Sequence, residues 1–249
     1  MKIIGVIPAR MGSSRFPGKP LASICGMSMI EHVYKRSLMC PTLDELYVAT
    51  CDEEIYDHVI SFGGKAIMTS PEHERCTDRI SEAMANLEAD IIVNIQGDEP
   101  MIYPEMIDEA IKLLLEDDSI LCSNLMAKIP TDKEFEDPNT VKVVTDCDNN
   151  ALYFSREAIP SKKKGANDVC GYKQVCVIPF RRDFLFTYTS LSPTPLEVIE
   201  SVDMLRVLEH GYGVKMVMTD KVTYCVDTVE DLKRVEKFMV TDTLHQKYC

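Results

Sequence analysis

The chain has 249 residues and a formal net charge of −13, with 45% hydrophobic and 27% charged residues. This is the composition of a globular protein with a sizeable core, and it excludes a disordered or fibrous chain. The negative charge argues against a binding surface for nucleic acid or an anionic membrane, because both require clustered positive charge.

Short apolar runs alternate with amphipathic stretches through the first half of the chain, which is typical of βαβ units and a mainly parallel sheet. Strands are predicted at 2–7, 45–50, part of 64–69, 91–95 and 119–126, and helices at 28–39, 53–62, 77–89 and 104–116. Ligand-binding crevices in such sheets lie at the carboxyl ends of the strands. We therefore expect the functional loops at 8–20, 51–52, 70–78 and 96–100.

The alternation is interrupted between about 130 and 195 by prolines and by a basic cluster at 161–165. Strand-like pieces at 140–145, 151–154 and 173–180 predict an antiparallel excursion inserted into the main sheet. Helical spacing returns over 196–210, and a core strand at 214–219 and a last helix at 229–246 follow. The predicted fold class is α/β, with a mixed, mainly parallel sheet flanked by helices and an antiparallel inserted subdomain.

Ten cysteines are scattered along the chain, and no CxxC pair occurs. A structural zinc site needs closely spaced pairs of soft ligands, so we expect buried, reduced thiols in a cytoplasmic protein. The N-terminal apolar run meets Pro8 and Arg10 too early for a signal peptide, and no apolar run approaches the ~18 residues of a membrane span.

The loop after the first predicted strand carries three cations, Arg10, Arg15 and Lys19, in an acidic chain. They are interleaved with the small or turn-forming residues Gly12, Ser13, Ser14, Pro17 and Gly18. Small residues let a backbone approach a polyphosphate, and Arg and Lys supply the compensating charge. Neither GxxxxGK[ST] nor GxGxxG is present, and a solvated basic loop is the alternative interpretation.

Two aspartates follow strand-like stretches. Asp98 lies in the run VNIQGDEP at the carboxyl end of a predicted strand, where a hard cation could join a carboxylate to phosphate oxygens. Asp227 precedes Thr228, Glu230 and Asp231, which have the pattern of an N-cap and an acidic first helical turn. Asp227 therefore has an alternative role as a cap or turn residue.

Six motifs carry a family resemblance, and they occur in this order: IPAR-x-x-S-x-R-x-PGKPL, H-x-x-x-TDR, N-x-QGDEP, YFSR-x-x-IP, PLE-x-IE and VDT-x-EDL. Together they resemble the 3-deoxy-manno-octulosonate (Kdo) cytidylyltransferase family over nearly the whole chain. That family makes a CMP-sugar from CTP and a 2-keto-3-deoxy sugar acid and releases pyrophosphate. The resemblance implies a single cytidylyltransferase domain over 1–249, with an inserted acceptor-binding and dimerisation segment at about 127–206.

The resemblance also implies site residues. Arg10, Lys19, Asp98 and Asp227 would be catalytic, and Asp98 and Asp227 would hold Mg²⁺. The residues implied for nucleotide binding are Arg10, Met11, Gly12, Ser13, Arg15, Lys19, Arg75, Cys76, Arg79, Gln96 and Asp98. Those implied for the acceptor are Arg156, Gln174, Ile178, Glu200, Asp203 and Met204. The implied partners are CTP, a small acidic acceptor and a second copy of the chain, with no nucleic acid and no membrane.

The chain departs from the family at specific positions. Arg75 and Cys76 stand where the family usually has Ser-Gly in its base-binding loop, which puts cytosine recognition in question. Gln174, Ile178 and Met204 replace a His, a Tyr and a Gln that face the sugar acid. Because unpaired hydroxyls are costly to bury, these changes predict poor use of Kdo and good use of another acid, such as a different keto-sugar acid or a phosphonate.

Two other functions stay open on the sequence alone. One is a catalytically inactive nucleotide-binding module, against which the retained cations and aspartates argue. The other is a nicotinamide oxidoreductase, which suits the α/β pattern but would normally carry the glycine fingerprint that is missing here. Titration with NADH and with CTP distinguishes a nicotinamide oxidoreductase from a cytidylyltransferase.

Overall fold

The computed structural model describes residues 1–13, 15–165 and 170–249. Ser14, and residues 166–169 of the basic linker that follows the YFSR motif, lie outside the described residues. The chain forms two compact units, one of Met1–Asp108 with Val222–Cys249 and the other of Glu109–Lys221. The interpretation as one domain with an inserted segment at about 127–206 stays a prediction.

The strands and helices follow one another in this order: β1 (Ile3–Ala9), β2 (Ser23–Ile24), β3 (Met27–Ser28), α1 (Met29–Leu38), β4 (Glu45–Thr50), α2 (Glu53–Ser61), β5 (Ala66–Met68), α3 (Cys76–Met84), β6 (Ile91–Ile95) and α4 (Pro104–Glu116). The second half contains β7 (Ser123–Lys128), α5 (Asp132–Glu136), β8 (Lys142–Thr145), β9 (Ala151–Ser155), β10 (Tyr172–Val175), β11 (Val177–Arg181), α6 (Arg182–Ser190), α7 (Pro195–Glu200), α8 (Met204–Glu209), β12 (Lys215–Thr219) and α9 (Val229–Met239). Two 3₁₀ turns lie at Lys19–Leu21 and His245–Lys247.

In the first unit, β1 lies between β6 and β4, and β4 pairs onward with β5. All three of these pairings are parallel. Every residue of β1 is buried, as expected for a central strand of a parallel sheet that is covered on both faces. The carboxyl ends of β1 and β6 therefore lie side by side, which places the loops that follow them at one edge of the sheet.

Gly97, in the loop after β6, shows how closely these two ends approach. A Cβ atom added there would lie 3.1 Å from the carbonyl oxygen of Pro8 and 3.3 Å from a side-chain carbon of Ile7. A larger residue would push the two strand ends apart. The glycine thus sets the close spacing of the two loops that the sequence singled out.

The second unit contains a mixed sheet in the order β12-β7-β10-β8-β9. β12 and β7 are parallel, and the other three pairings are antiparallel. The predicted α/β class, with a parallel-containing sheet and an antiparallel excursion, is confirmed. The expectation that the excursion is inserted into the main sheet was wrong, because β8, β9 and β10 lie in this second sheet, where β10 pairs with β7 and β8, and β8 pairs with β9.

Several predicted boundaries also differ. The strand predicted at 173–180 is two strands that separate at Cys176, and the strand predicted at 119–126 begins only at Ser123. The helix predicted at 196–210 is two short helices, because Ser201 takes the left-handed conformation at φ 52° and ends the first of them. The last helix ends at Met239 and does not continue to 246.

Candidate active site

A cavity of about 530 Å³ opens in the first unit at the carboxyl ends of β1 and β6. This volume is within the range of small-molecule sites. Eleven residues predicted from the sequence line it: Arg10, Gly12, Ser13, Arg15, Lys19, Arg75, Cys76, Arg79, Gln96, Asp98 and Asp227. The fold thus brings together four sequence segments that are far apart in the chain.

The cationic loop folds back on Met11, the one predicted nucleotide-binding residue that does not line the cavity. The Met11 carbonyl accepts hydrogen bonds from the N–H groups of Ser13 and Gly18, each at 3.0 Å. The Met11 N–H donates to Oδ2 of Asp52 at 2.8 Å. Gly18 has a φ of 73°, a conformation that favours glycine, and it leads directly into Lys19. These contacts define the loop that carries the three cations.

Lys19 joins the two predicted catalytic aspartates. Its Nζ lies 2.9 Å from Oδ2 of Asp98 and 3.2 Å from Oδ1 of Asp227. Arg15 approaches the same Asp227 oxygen at 3.1 Å. Burial lowers the pKa of Lys19, but the carboxylate of Asp98 and its other anionic neighbours outweigh that effect and raise it. The structure therefore holds two carboxylates close together with a lysine cation between them.

The alternative role of Asp227 as the cap of the last helix does not hold. Thr228 caps α9, and its Oγ1 accepts from the N–H of Asp231 at 3.2 Å. Oδ2 of Asp231 accepts in return from the N–H of Thr228 at 3.1 Å, which completes a capping box. The Asp227 carboxylate instead pairs with Lys19 and Arg15.

The carboxylates of Asp98 and Asp227 form a three-residue cluster with Cys225, in which one ligand atom from each residue lies within 4.8 Å of the others. Carboxylate oxygens are the ligands that a hard divalent cation prefers, so the residues present fit such an ion. Desolvation of the sulfur and the two neighbouring carboxylates raise the pKa of the Cys225 thiol, although the residue is exposed.

Sequence reasoning missed Cys225, because it expected buried thiols, whereas Cys225 is exposed. The available signal was the spacing of two residues between Cys225 and Asp227, which puts both side chains on the same side of an extended segment. The residues His73 and Glu74, in the loop before α3, also line the cavity and were not predicted.

The start of α3 forms the opposite part of the cavity wall. The amide of Gln96 donates to Sγ of Cys76 at 3.3 Å, and the amide of Asn94 approaches it at 3.7 Å. Arg79 is buried and donates to Oγ1 of Thr69 and to the carbonyl of Ser70. Arg79 therefore braces the loop after β5, while Cys76 occupies a polar corner of the cavity. Arg75 lies at the N-cap position of α3.

In the second unit, the structure joins two of the residues predicted for the acceptor, Arg156 and Glu200. The Arg156 N–H donates to Oε2 of Glu200 at 2.8 Å, and its Nε donates to the Glu200 carbonyl at 2.6 Å. The Ser155 hydroxyl adds a bond to Oε1 of Glu200 at 2.8 Å. Burial opposes these bonds, but they prevail and lower the pKa of Glu200. Glu200 thereby fixes the chain at the end of β9.

The other residues predicted for the acceptor lie in different surroundings. Gln174 donates from Nε2 to Oδ1 of Asn124 at 2.6 Å. Ile178 and Met204 are both buried in the apolar core. Asp203 immediately precedes α8 at its N-cap position. The assignment of these residues and of Arg156 and Glu200 to an acceptor stays a prediction.

Within the described residues, none of the helices combines the length and apolar character that crossing a membrane requires.

The chain is similar to known proteins over most of its length. Residues 4–221 match the cytidylyltransferase family. A 3-deoxy-manno-octulosonate cytidylyltransferase from Geotalea uraniireducens is 49% identical over 246 residues, covering 94% of this chain and 98% of that protein. Its counterpart from Fusobacterium nucleatum is 45% identical, with 96% and 97% covered.

A solved structure of CMP:2-keto-3-deoxy-manno-octonic acid synthetase in complex with CTP superposes with a TM-score of 0.91. It is 41% identical to this chain, and the alignment covers 96% of this chain and 99% of that one. A cytidylyltransferase from Leptospira borgpetersenii, at 17% identity and a TM-score of 0.66, shares the fold.

Proposed function

Because this chain belongs to the 3-deoxy-manno-octulosonate cytidylyltransferase family and is a CTP-dependent cytidylyltransferase, we propose that it transfers CMP from CTP to a 2-keto-3-deoxy sugar acid or a related acid. Pyrophosphate is the second product. The observation that carries this proposal is the cavity that Arg10, Arg15 and Lys19 line, in which Arg15 and Lys19 contact the paired carboxylates of Asp98 and Asp227. Such a site offers cations for a triphosphate and carboxylates for a divalent cation.

We assign Arg10, Arg15 and Lys19 to the β- and γ-phosphates, so that pyrophosphate leaves as a neutralised group. The chemistry is in-line attack of an acceptor hydroxyl on the α-phosphorus: the new P–O bond forms while the bond to pyrophosphate breaks, and the hydroxyl proton passes to solvent. No Ser, Cys or His nucleophile is needed, because positioning and charge neutralisation carry such a reaction.

Mg²⁺ is the metal that we propose for this site, with Asp98 and Asp227 as its ligands. When bound, the ion supplies charge neutralisation of the triphosphate and lowers the pKa of the attacking hydroxyl. The contacts of Lys19 support this assignment, since its Nζ lies 2.9 and 3.2 Å from the two carboxylates, where positive charge is required to hold them together. The side chain of Lys19 can then turn to the phosphates.

The acceptor belongs to the second unit in this proposal, with Arg156 favouring an acid. The names of the relatives make Kdo the first candidate. The resemblance, which places Ile178 and Met204 against the acceptor, favours a second one, an acid with fewer hydroxyls, because these side chains offer no hydrogen-bond partner. Each unmatched buried hydroxyl costs about 1–3 kcal/mol, so two of them would lower kcat/KM for Kdo by roughly two to four orders of magnitude.

An assay of pyrophosphate release with CTP, Mg²⁺ and a panel of acids tests the proposal. The panel contains Kdo, other keto-sugar acids and simple phosphonates, and omission of the acid gives the blank. We expect release only when CTP and one of the acids are both present. Binding of CTP without release for any acid would instead support the inactive nucleotide-binding module.

The triple variant Gln174→His, Ile178→Tyr and Met204→Gln tests the acceptor assignment. It should raise kcat/KM for Kdo relative to the native chain, while Tm reports the cost of placing larger or polar groups at buried positions. A native chain that uses Kdo better than every other acid would contradict the second candidate and leave the first.

Cellular location and assembly complete the proposal. All ten cysteines are free thiols, which supports a cytoplasmic protein, because thiols stay reduced in that compartment. We propose a homodimer formed through the inserted segment, which sedimentation analysis of the chain would test.

A further inference from the structure

We infer that Cys225 turns the carboxylate pair into a binding site for a thiophilic divalent cation such as Zn²⁺, with Sγ of Cys225 and one oxygen each from Asp98 and Asp227 as ligands. The inference rests on the cation site proposed above and adds to it a soft ligand and hence a different metal preference. A pair of carboxylates alone would favour Mg²⁺ or Ca²⁺.

The backbone fixes Cys225 beside the carboxylates. The N–H of Val226 donates to the carbonyl of Asp98 at 2.9 Å, which sets the register of residues 225–227 against the loop after β6. Val226 is fully buried, whereas its two neighbours are not. This alternation is the two-residue period of an extended chain, so Cys225 and Asp227 point to the same side.

The distances suit a single ion. The three ligand atoms lie within 4.8 Å of one another without any ion to draw them together. A tetrahedral ion with metal–sulfur and metal–oxygen distances of about 2.3 and 2.1 Å holds such atoms about 3.6 Å apart. Small side-chain rotations therefore close the site, and they leave a fourth position open for solvent or a ligand.

The carboxylates of the cluster already hold cations. Lys19 pairs with both carboxylates and Arg15 pairs with Asp227, and a divalent ion can replace the Lys19 ammonium between the two aspartates. Thiolates bind Zn²⁺ and Cd²⁺ far better than they bind Mg²⁺, and the ion displaces the thiol proton as it binds. The structure thus predicts that thiophilic ions compete with Mg²⁺ at this position.

Titration of the reduced full-length chain with Cd²⁺, in the absence of nucleotide, tests the inference. Cd²⁺ bound to a thiolate gives an ultraviolet charge-transfer band. We expect a saturable band that is lost in Cys225→Ser and kept in the matched control Cys147→Ser, which removes another exposed thiol. A band of equal size in Cys225→Ser, or no band in the native chain, would overturn the inference.

A second variant tests whether the carboxylates take part. Asp227→Asn keeps the thiol but removes one charged ligand, so the Kd for Cd²⁺ at the Cys225-dependent band should rise about tenfold or more. An unchanged Kd in a variant with native Tm would show that Cys225 binds alone and would contradict the three-ligand site. Pyrophosphate release by the native chain with Mg²⁺ is measured separately, so failure of the proposed function gives a different result.

Discussion

Two ion-paired regions of this molecule contrast in their access to solvent. In the first unit, Lys19 lies between Asp98 and Asp227; the lysine side chain is 14% exposed and each aspartate side chain is 25% exposed. In the second unit, Glu197 and Arg206 form a two-bond pair at 2.6 and 2.7 Å, with side chains only 1% and 4% exposed. The first region lines a cavity, and the second joins α7 to α8.

The difference separates a site that can exchange its partners from one that cannot. Water and ligands reach Lys19, so its ion pairs can be replaced by contacts to phosphate or to a metal. The Glu197–Arg206 pair cannot exchange partners in this way, because separating the two side chains would leave each charge in an interior without water. Function is therefore expected from the accessible pairs and stability from the buried pair, and each prediction below tests one side of this division.

The largest effect is expected for Asp98→Asn. Loss of one carboxylate should lower kcat by about 10³-fold or more, since metal binding and charge neutralisation supply several kcal/mol of transition-state stabilisation. Tm should stay near that of the native chain, because Asp98 lies at a loop that faces a cavity. Asp227→Asn should act similarly in the same pyrophosphate assay. Native turnover in Asp98→Asn would remove the metal assignment.

Glu197→Gln should mainly affect stability. Removing one partner of a buried pair leaves Arg206 uncompensated and should lower the free energy of unfolding by about 3–5 kcal/mol, measured by urea denaturation. The exposed pair Lys112–Glu116 provides the control, and Glu116→Gln should change the same quantity by no more than about 0.5 kcal/mol. Equal effects in the two variants would contradict the division by burial.

A third buried polar group, His32, gives a pH dependence. Burial lowers its pKa to about 4 from the ordinary 6.5, and its ring lies 2.8 Å from both the Ile24 carbonyl and the Tyr248 hydroxyl. Between pH 6.5 and 4 the unfolded chain binds a proton that the folded chain does not, so stability falls as the pH falls. The total loss is about 3 kcal/mol.

Comparing the native chain with His32→Gln isolates this group, because the carboxylates titrate in both. Urea unfolding at pH 7 and pH 4.5 should show a smaller loss of stability on acidification in His32→Gln. The exposed His210→Gln should behave like the native chain. The same acid sensitivity in all three proteins would show that His32 does not carry the effect.

The smallest effect is expected for Lys19→Ala and Arg15→Ala, which should raise the Kd for CTP by about 10–100-fold, or about 1.4–2.8 kcal/mol each. The Kd for CMP should change far less, since CMP lacks the β- and γ-phosphates to which these side chains are assigned. Isothermal titration with both nucleotides measures the difference. Equal losses of affinity for the two nucleotides would indicate that these side chains contact the ribose or the base instead of the β- and γ-phosphates.

Local patterns in the sequence predicted much of the fold. The strands at 45–50 and 91–95 and the helix at 104–116 have the predicted bounds, because each carries an uninterrupted apolar pattern. The break at Ser201 was missed, because a serine in the left-handed conformation leaves no glycine signal. Pairing of the middle strands in a second sheet depends on long-range contacts, on which short patterns carry little information.

The candidate site was predicted unevenly for a physical reason. Clustered cations and strand-end carboxylates are recognisable in the sequence, and eleven of the residues that line the cavity were named from it. The spacing of Cys225 and Asp227 indicated a shared side of the chain, but the place of Cys225 beside Asp98 depends on the long-range hydrogen bond between Val226 and Asp98. On the acceptor side, Ile178 and Met204 were chosen by resemblance alone, and their burial became visible only in the fold.

The most direct test of the central claim is ³¹P NMR of the native chain incubated with CTP, Mg²⁺ and the preferred acid of the panel. Transfer predicts that the CTP resonances are replaced by equal amounts of pyrophosphate and a CMP phosphodiester, and that neither forms without the acid. Free CMP and pyrophosphate formed without any acid, or CTP that stays intact with every acid, would contradict the account.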